Sequence, residues 1–302
     1  MTEVQKVKPF LKWVGGKTQL LRQMEKFFPQ TFGTYFEPFV GGGAVFFYLQ
    51  PKKAHINDIN KSLISTYKNI KRDPSTIISI LDPLQKKFLK LKIDTNKGGT
   101  KKNEDRKAYY YRIRDQYNSL SHKDSRKAAL LIFLNKTGFN GMYRENPLGE
   151  FNIPFGDYKR PKILDREALL AASQQLKRVT ITAKSFDDSV QNAKKGDFVY
   201  FDPPYHPLKP KMSFTSYSER DFGKKEQEKL AVVFSNLDKK GCYVMLSNSC
   251  TPLIRKLYRD FTLKKVRANR SINCKATGRG KVDEYIILGN CLTKHLKTIE
   301  RI

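Results

Sequence analysis

A short apolar run that breaks into three glycines constrains this chain more than any other feature. Tyr35-Phe36-Glu37-Pro38-Phe39-Val40 reads as a strand, Gly41-Gly42-Gly43 as a turn and Ala44-Val45-Phe46-Phe47-Tyr48-Leu49 as a helix. A second strand, Ala54-His55-Ile56-Asn57-Asp58, ends in an acid 17 positions after Gly41. Strand, glycine loop, helix, strand, acid is the opening of a nucleotide-binding α/β unit. The rhythm returns later. Runs starting at Arg178, Phe198, Tyr243 and Glu284 read as strands, and 226–236 and 253–258 as helices. The fold class expected is α/β with a mostly parallel sheet.

The stretch between these parts has another character. Residues 86–127 carry 14 basic and 5 acidic side chains, with Tyr109, Tyr110, Tyr111 and Tyr117 interleaved with Arg112 and Arg114. This predicts a mainly helical inserted domain over 61–160, with a hairpin at 145–158. The α/β domain then comprises 1–60 and 161–302.

The whole chain carries a net charge of +29, which argues for a polyanionic partner. No run approaches the ~18 apolar residues of a membrane span, and Met1 to Lys8 leads into no apolar signal core. A cytoplasmic protein with no membrane partner is expected. Cys242, Cys250, Cys274 and Cys291 lack the spacing of a zinc or redox pair, and the four histidines are scattered. Free thiols and no metal are expected.

Gly41 to Gly43 either make a tight βα turn or let a ligand approach the main chain. Because the pattern is not G-x-G-x-x-G, a dinucleotide is not favoured. Asp58 either caps the helix starting near Asn60 or accepts hydrogen bonds from a ribose diol. Gly15-Gly16-Lys17-Thr18 resembles a phosphate loop, but Leu11 stands where the first Walker glycine is required. The strongest signal is Asp202-Pro203-Pro204-Tyr205 at the end of the apolar strand Phe198-Val199-Tyr200-Phe201. Prolines donate no N–H, so their carbonyls are left to accept. With Asp202 they offer two acceptors to an exocyclic amino group, while Tyr205 offers a ring to stack on.

Asp-Pro-Pro-Tyr, Phe36-Glu37-Pro38-Phe39-Val40-Gly41-Gly42-Gly43 and Phe10-Leu11-Lys12-Trp13-Val14-Gly15-Gly16-Lys17 together resemble the S-adenosylmethionine-dependent DNA adenine-N6 methyltransferases. More narrowly, the chain resembles the Dam-type, GATC-methylating members of the alpha group, which include methylases of restriction-modification systems. Asn140-Gly141-Met142-Tyr143-Arg144, the run Phe151 to Tyr158, Ser213 to Tyr217 and Lys281-Val282-Asp283-Glu284 match as well. The resemblance implies a Rossmann-like methyltransferase sheet with an inserted DNA-recognition domain.

It also implies roles for individual residues. Asp202, Pro203, Pro204 and Tyr205 match the clamp on the target base. Trp13, Lys17, Phe39, Gly41, Gly43, Asp58, Ser185, Phe186 and Asp202 match cofactor-binding positions. Lys12, Phe139, Asn140, Met142, Arg144, Pro154 and Tyr158 fall where relatives contact the recognition sequence. Met142 stands where some relatives carry leucine. Taken from the residues alone, Arg144 reads as a phosphate contact or salt bridge; the match makes it a reader of guanine. The implied partners are double-stranded DNA and a cognate GATC endonuclease acting on the same site.

Adenine inside a duplex must flip out to be modified. Cytosine-C5 methylation is disfavoured because no cysteine follows a proline. Cytosine-N4 methylation, an RNA substrate and a binding protein on a decayed methyltransferase fold are the alternatives. The basic stretches 86–127 and 259–281, with a loop at 273–280, are expected to lie along phosphates.

Overall fold

The computed structural model describes residues 7–91, 103–208, 222–269 and 281–299. They divide into two compact units. One takes Met1–Gly16, Gly41–Gln50 and Asn60–Lys177; the other takes Lys17–Val40, Pro51–Ile59 and Arg178–Ile302.

The first unit is helical. Ala44–Leu49 (α1) follows the glycine loop, and Lys61–Arg72 (α2), Pro74–Lys90 (α3), Glu104–Ser119 (α4), Ser125–Thr137 (α5) and Arg166–Leu176 (α6) follow in turn. Side-chain caps start four of them: Asn60, Asp73, Asp124 and Asp165 each accept a first-turn N–H. α5 forms the centre, with every side chain from Ala128 to Leu134 buried. Tyr109, Tyr110 and Tyr117 of α4 are buried too, with Arg112 over Tyr109 and Arg114 over Tyr111. The tyrosine–arginine interleaving therefore builds a core with cations at its rim.

This unit reaches beyond the expected 61–160 insert. α6 packs on α2 and α3 and carries the unit to Lys177. Phe10 meets Phe47 and Tyr67 edge-on and brings the first residues in. The hairpin expected at 145–158 is reduced to isolated antiparallel bridges, Gly138 to Phe155 and Glu145 to Phe151. Pro147 and Pro154 lack the N–H a longer ladder needs.

The second unit holds the sheet: Tyr35–Glu37 (β1), Ala54–Asn57 (β2), Val179–Thr182 (β3), Phe198–Phe201 (β4), Tyr243–Ser249 (β5), Thr262–Asn269 (β6) and Lys281–Leu288 (β7). Their order is β3-β2-β1-β4-β5-β7-β6. The first five pair parallel, and β7 runs antiparallel to both neighbours. β1 ends at Glu37 rather than Val40, because Pro38 cannot continue the ladder. One face buries Phe36, Val199, Phe201, Val244 and Leu246 against Leu230, Phe234 and Leu237 of Lys224–Lys239 (α7), with Ile254 of Pro252–Leu257 (α8). On the other, Tyr35 and Phe198 meet Phe28 and Phe32.

Three elements depart from the sequence expectations. The periodic segment at 20–28 forms the short helix Leu21–Met24 and a 3-10 turn, Glu25–Phe27, rather than one helix. β6 occupies 262–269, inside the basic stretch expected to lie along phosphates. A helix also spans Asn290–Ile299 (α9). The loop expected at 273–280, the Ser213 to Tyr217 match and Cys274 lie outside the described residues. The sheet order puts β1 and β4 side by side with their onward connections leaving in opposite directions. In open parallel sheets that point, at the carboxyl ends of the strands, is where ligands bind.

Candidate active site

At the end of β4 the buried run Phe198 to Phe201 gives way to Asp202. Lys17, only 5% exposed, places its Nζ 2.7 Å from Asp202 Oδ1; Asp202 itself is 19% exposed. The same ammonium lies 4.8 Å from the centre of the Tyr205 ring. The Tyr205 hydroxyl donates to Glu284 Oε2 at 2.9 Å. Gln227 of α7 donates to the Pro204 carbonyl at 2.9 Å, and Asn248 of β5 accepts the His206 N–H at 3.1 Å. An Asn248–Gln227 hydrogen bond of 3.0 Å joins these two supports. The Asp-Pro-Pro-Tyr turn is thus held from below by α7, β5 and β7.

Burial raises the Asp202 carboxyl above the usual carboxylate range; Lys17 opposes this and Glu284 adds to it. Burial, with Asp202 and Glu284 nearby, drives the Tyr205 phenol well above its ordinary value. Tyr205 therefore stays a neutral donor.

Asn57 organises the neighbouring strand ends. Its amide donates to the carbonyls of Pro38 (3.1 Å) and Lys184 (3.0 Å) and accepts from the Lys184 N–H (2.9 Å) and Thr182 hydroxyl (2.8 Å). One buried side chain so ties the ends of β1, β2 and β3. It sets Phe39, Asp58 and the Ser185–Phe186 pair along the same edge as Asp202. Phe39 stacks on Phe186 at 5.5 Å and 27°, with Phe222 edge-on to Phe39. Asp58 is not a helix cap; Asn60 does that work. Ser185 caps the turn Phe186–Ser189, donating to the Asp188 carboxylate at 2.6 Å.

Within the helical unit, Gly41 and Gly43 have φ of +47° and +71°. A Cβ on Gly41 would come within 2.7 Å of Trp13, and one on Gly43 within 2.7 Å of the Tyr67 hydroxyl. That hydroxyl donates to the Gly41 carbonyl at 3.0 Å. The glycine loop is therefore a cradle in which two residues must lack side chains.

Candidate recognition residues also gather in this unit. The Phe139 N–H bonds the Pro154 carbonyl at 2.9 Å. Lys12 Nζ lies 4.5 Å over the Tyr158 ring, and Arg144 Nε donates to Asn152 at 2.7 Å. Phe139 and Asn140 are exposed, Asn140 in a left-handed conformation (φ +54°), and Met142 is half-buried. Asn57, Gln227, Asn248 and Glu284 are supports that sequence reasoning gave no role. Only Glu284 carried a signal, within the Lys281 to Glu284 match.

Residues 13–272 match the family described as D12 class N6 adenine-specific DNA methyltransferase. The chain belongs to this family. It is similar to the type II methyltransferase M.MjaIII of Methanocaldococcus jannaschii, at 45% identity over 90% of this chain and 95% of the relative. The type II methyltransferase M1.LlaDCHI of Lactococcus lactis subsp. cremoris is 40% identical over 93% and 95%. A DNA adenine methylase of Vibrio cholerae serotype O1 is 34% identical over 98% and 99%. As a D12 class methyltransferase the enzyme acts on adenine in DNA and uses S-adenosylmethionine.

The residues present fit that cofactor. Within the sheet unit an acid, Asp58, stands just past the end of β2, with the stacked pair Phe39 and Phe186 at the neighbouring strand ends. Among the described residues, no helix is long and apolar enough to cross a membrane. No group of three or more histidine, cysteine or acidic residues among them could hold a metal ion.

Proposed function

We propose that this D12 class methyltransferase modifies the N6 amino group of an adenine flipped out of duplex DNA, within the sequence GATC. The observation that carries the reading is the Lys17–Asp202–Tyr205–Glu284 cluster at the end of β4. It offers a carboxylate and a ring at one place, both held from behind.

In this reading Asp202 and the Pro203 carbonyl accept the two N6 hydrogens, with Pro204 fixing the turn. That draws the nitrogen lone pair out of conjugation. Tyr205 stacks on the base, a contact worth ~1–3 kcal/mol against an unstacking cost of a few kcal/mol. Bound S-adenosylmethionine supplies an electrophilic methyl group, so the protein needs no nucleophile of its own. Asp202 stabilises the positive charge that develops on N6 and takes up the proton released from it. Trp13, Lys17, Phe39, Gly41, Gly43, Asp58, Ser185, Phe186 and Asp202 are assigned to the cofactor. Asp58 accepts from its ribose.

GATC is supported by the Dam-type match at Lys12, Phe139, Asn140, Met142, Arg144, Pro154 and Tyr158. The order of motifs, cofactor loop before recognition insert before clamp, supports the alpha group. Residues 1–60 and 161–302 are assigned to catalysis and 61–160 to recognition. A cytoplasmic location and a cognate GATC endonuclease, acting without obligatory contact, complete the reading.

The test uses tritiated S-adenosylmethionine with two duplexes, one carrying GATC and one AATC, and an Asp202→Ala variant. Label entering the GATC duplex alone, and lost in the variant, is expected. Equal label in both overturns the specificity, and label retained by the variant overturns the clamp.

A further inference from the structure

Asn135 near the end of α5 is 2% exposed and spends its whole amide on main chain, at distant Lys12 and at nearby Gly141. Its Oδ1 accepts the Lys12 N–H at 2.8 Å, and its Nδ2 donates to the Lys12 carbonyl at 2.8 Å. The same Nδ2 donates to the Gly141 carbonyl at 2.9 Å. Two further contacts close the seam. A Cβ on Gly141 would lie 2.6 Å from Lys12 Cβ, so the Lys12 side chain packs directly on a residue that must be glycine, at φ +61°. Next to it Trp13 stacks on Tyr143 at 5.6 Å and 25°. The segment holding Asn140, Met142 and Arg144 is thereby welded to the one holding Lys12 and Trp13.

We propose that Asn135 is a positioning residue that couples sequence recognition to the reaction. Because the seam is rigid, DNA contacts made by residues 139–144 fix the placement of Lys12 and Trp13. An ill-fitting sequence displaces both segments together. The proposal rests on the recognition role given to these segments above.

Trp13 is the only tryptophan in the chain and reports on the seam directly. The experiment measures kcat/KM on the GATC and AATC duplexes, together with the change in tryptophan emission when the GATC duplex binds. Asn135→Ala removes the partner of three main-chain groups, the Gly141 carbonyl among them buried. It is expected to reduce the GATC-over-AATC ratio at least tenfold and to abolish or invert the emission change. Asn135→Asp, of the same shape, carries the test if the alanine variant does not fold. Ionised, its carboxylate faces two carbonyls; protonated, it restores one donor. Its GATC-over-AATC ratio is therefore expected to recover as pH falls. A folded Asn135 variant with wild-type ratio and emission change overturns the proposal. A wild-type enzyme that does not distinguish the duplexes overturns the GATC reading instead; an emission change kept by the variants then still overturns the coupling.

Discussion

Lys17 and Asp202 meet as an ion pair 2.7 Å long, with the lysine almost wholly buried and facing Tyr205 with the same ammonium. The pair joins the N-terminal motif to the motif at the end of β4 within one unit. Lys17 thus acts on the clamp directly, whatever else it touches.

The first prediction concerns pH. Burial raises the Asp202 pKa and Lys17 lowers it. Losing the ammonium therefore lets the carboxyl hold its proton to higher pH. In the proposed mechanism the ionised form accepts from N6, so activity is expected to fall as pH drops through this pKa. In Lys17→Met the acid limb of kcat/KM is expected to move to higher pH, with about a hundredfold lower rate from misplacement of the carboxylate. A limb that stays in place would separate Lys17 from Asp202.

Tyr205 contributes a ring and a hydroxyl, and the two are separable. Tyr205→Ala should cost ~1–3 kcal/mol of stacking, about 5- to 150-fold in kcat/KM. It should also dim the emission of 2-aminopurine placed at the target position. Tyr205→Phe and Glu284→Gln keep the ring and should lose far less. Equal losses in all three would show that the Glu284 hydrogen bond, not the stack, matters.

Arg144 is exposed, and its Nε donates to Asn152. If it reads guanine, Arg144→Ala should narrow the difference between GATC and AATC by ~1–3 kcal/mol. Loss on both duplexes alike would make Arg144 a phosphate contact.

The surplus of positive charge sets a salt dependence. If about six phosphates are neutralised, log K should fall with log salt at a slope near −5, at ~0.9 per phosphate. A slope near −1 would place most of the lysines away from the DNA.

The parts of this molecule legible in its sequence are those whose chemistry is local. Gly41 and Gly43 announce a backbone that excludes side chains, and Asp202 to Tyr205 carry their acceptors and ring in four consecutive residues. Asn57, Asn135 and Glu284 are single polar residues whose meaning comes from partners far along the chain. Glu284 gains its place from the register Ser249 to Glu284 in the antiparallel β5–β7 pair. β6 was hidden for another reason. It is an edge strand whose Lys264, Lys265 and Arg267 face solvent while Val266 and Ala268 are buried, and edge strands carry such charges against stray pairing. The helical unit runs on to Lys177 because α6 packs on α2 and α3, far upstream in the chain, a contact that local periodicity does not show.

The position of β7 in the chain decides when the Asp-Pro-Pro-Tyr turn gains its support. Among the described strands β7 comes latest in the chain, yet it inserts between β5 and β6 and brings Glu284 to Tyr205. Until then a nascent chain carries the Asp-Pro-Pro-Tyr turn without its anchor and with an open edge on β5. The support of the turn by Glu284 is thus complete only once β7 has paired with β5.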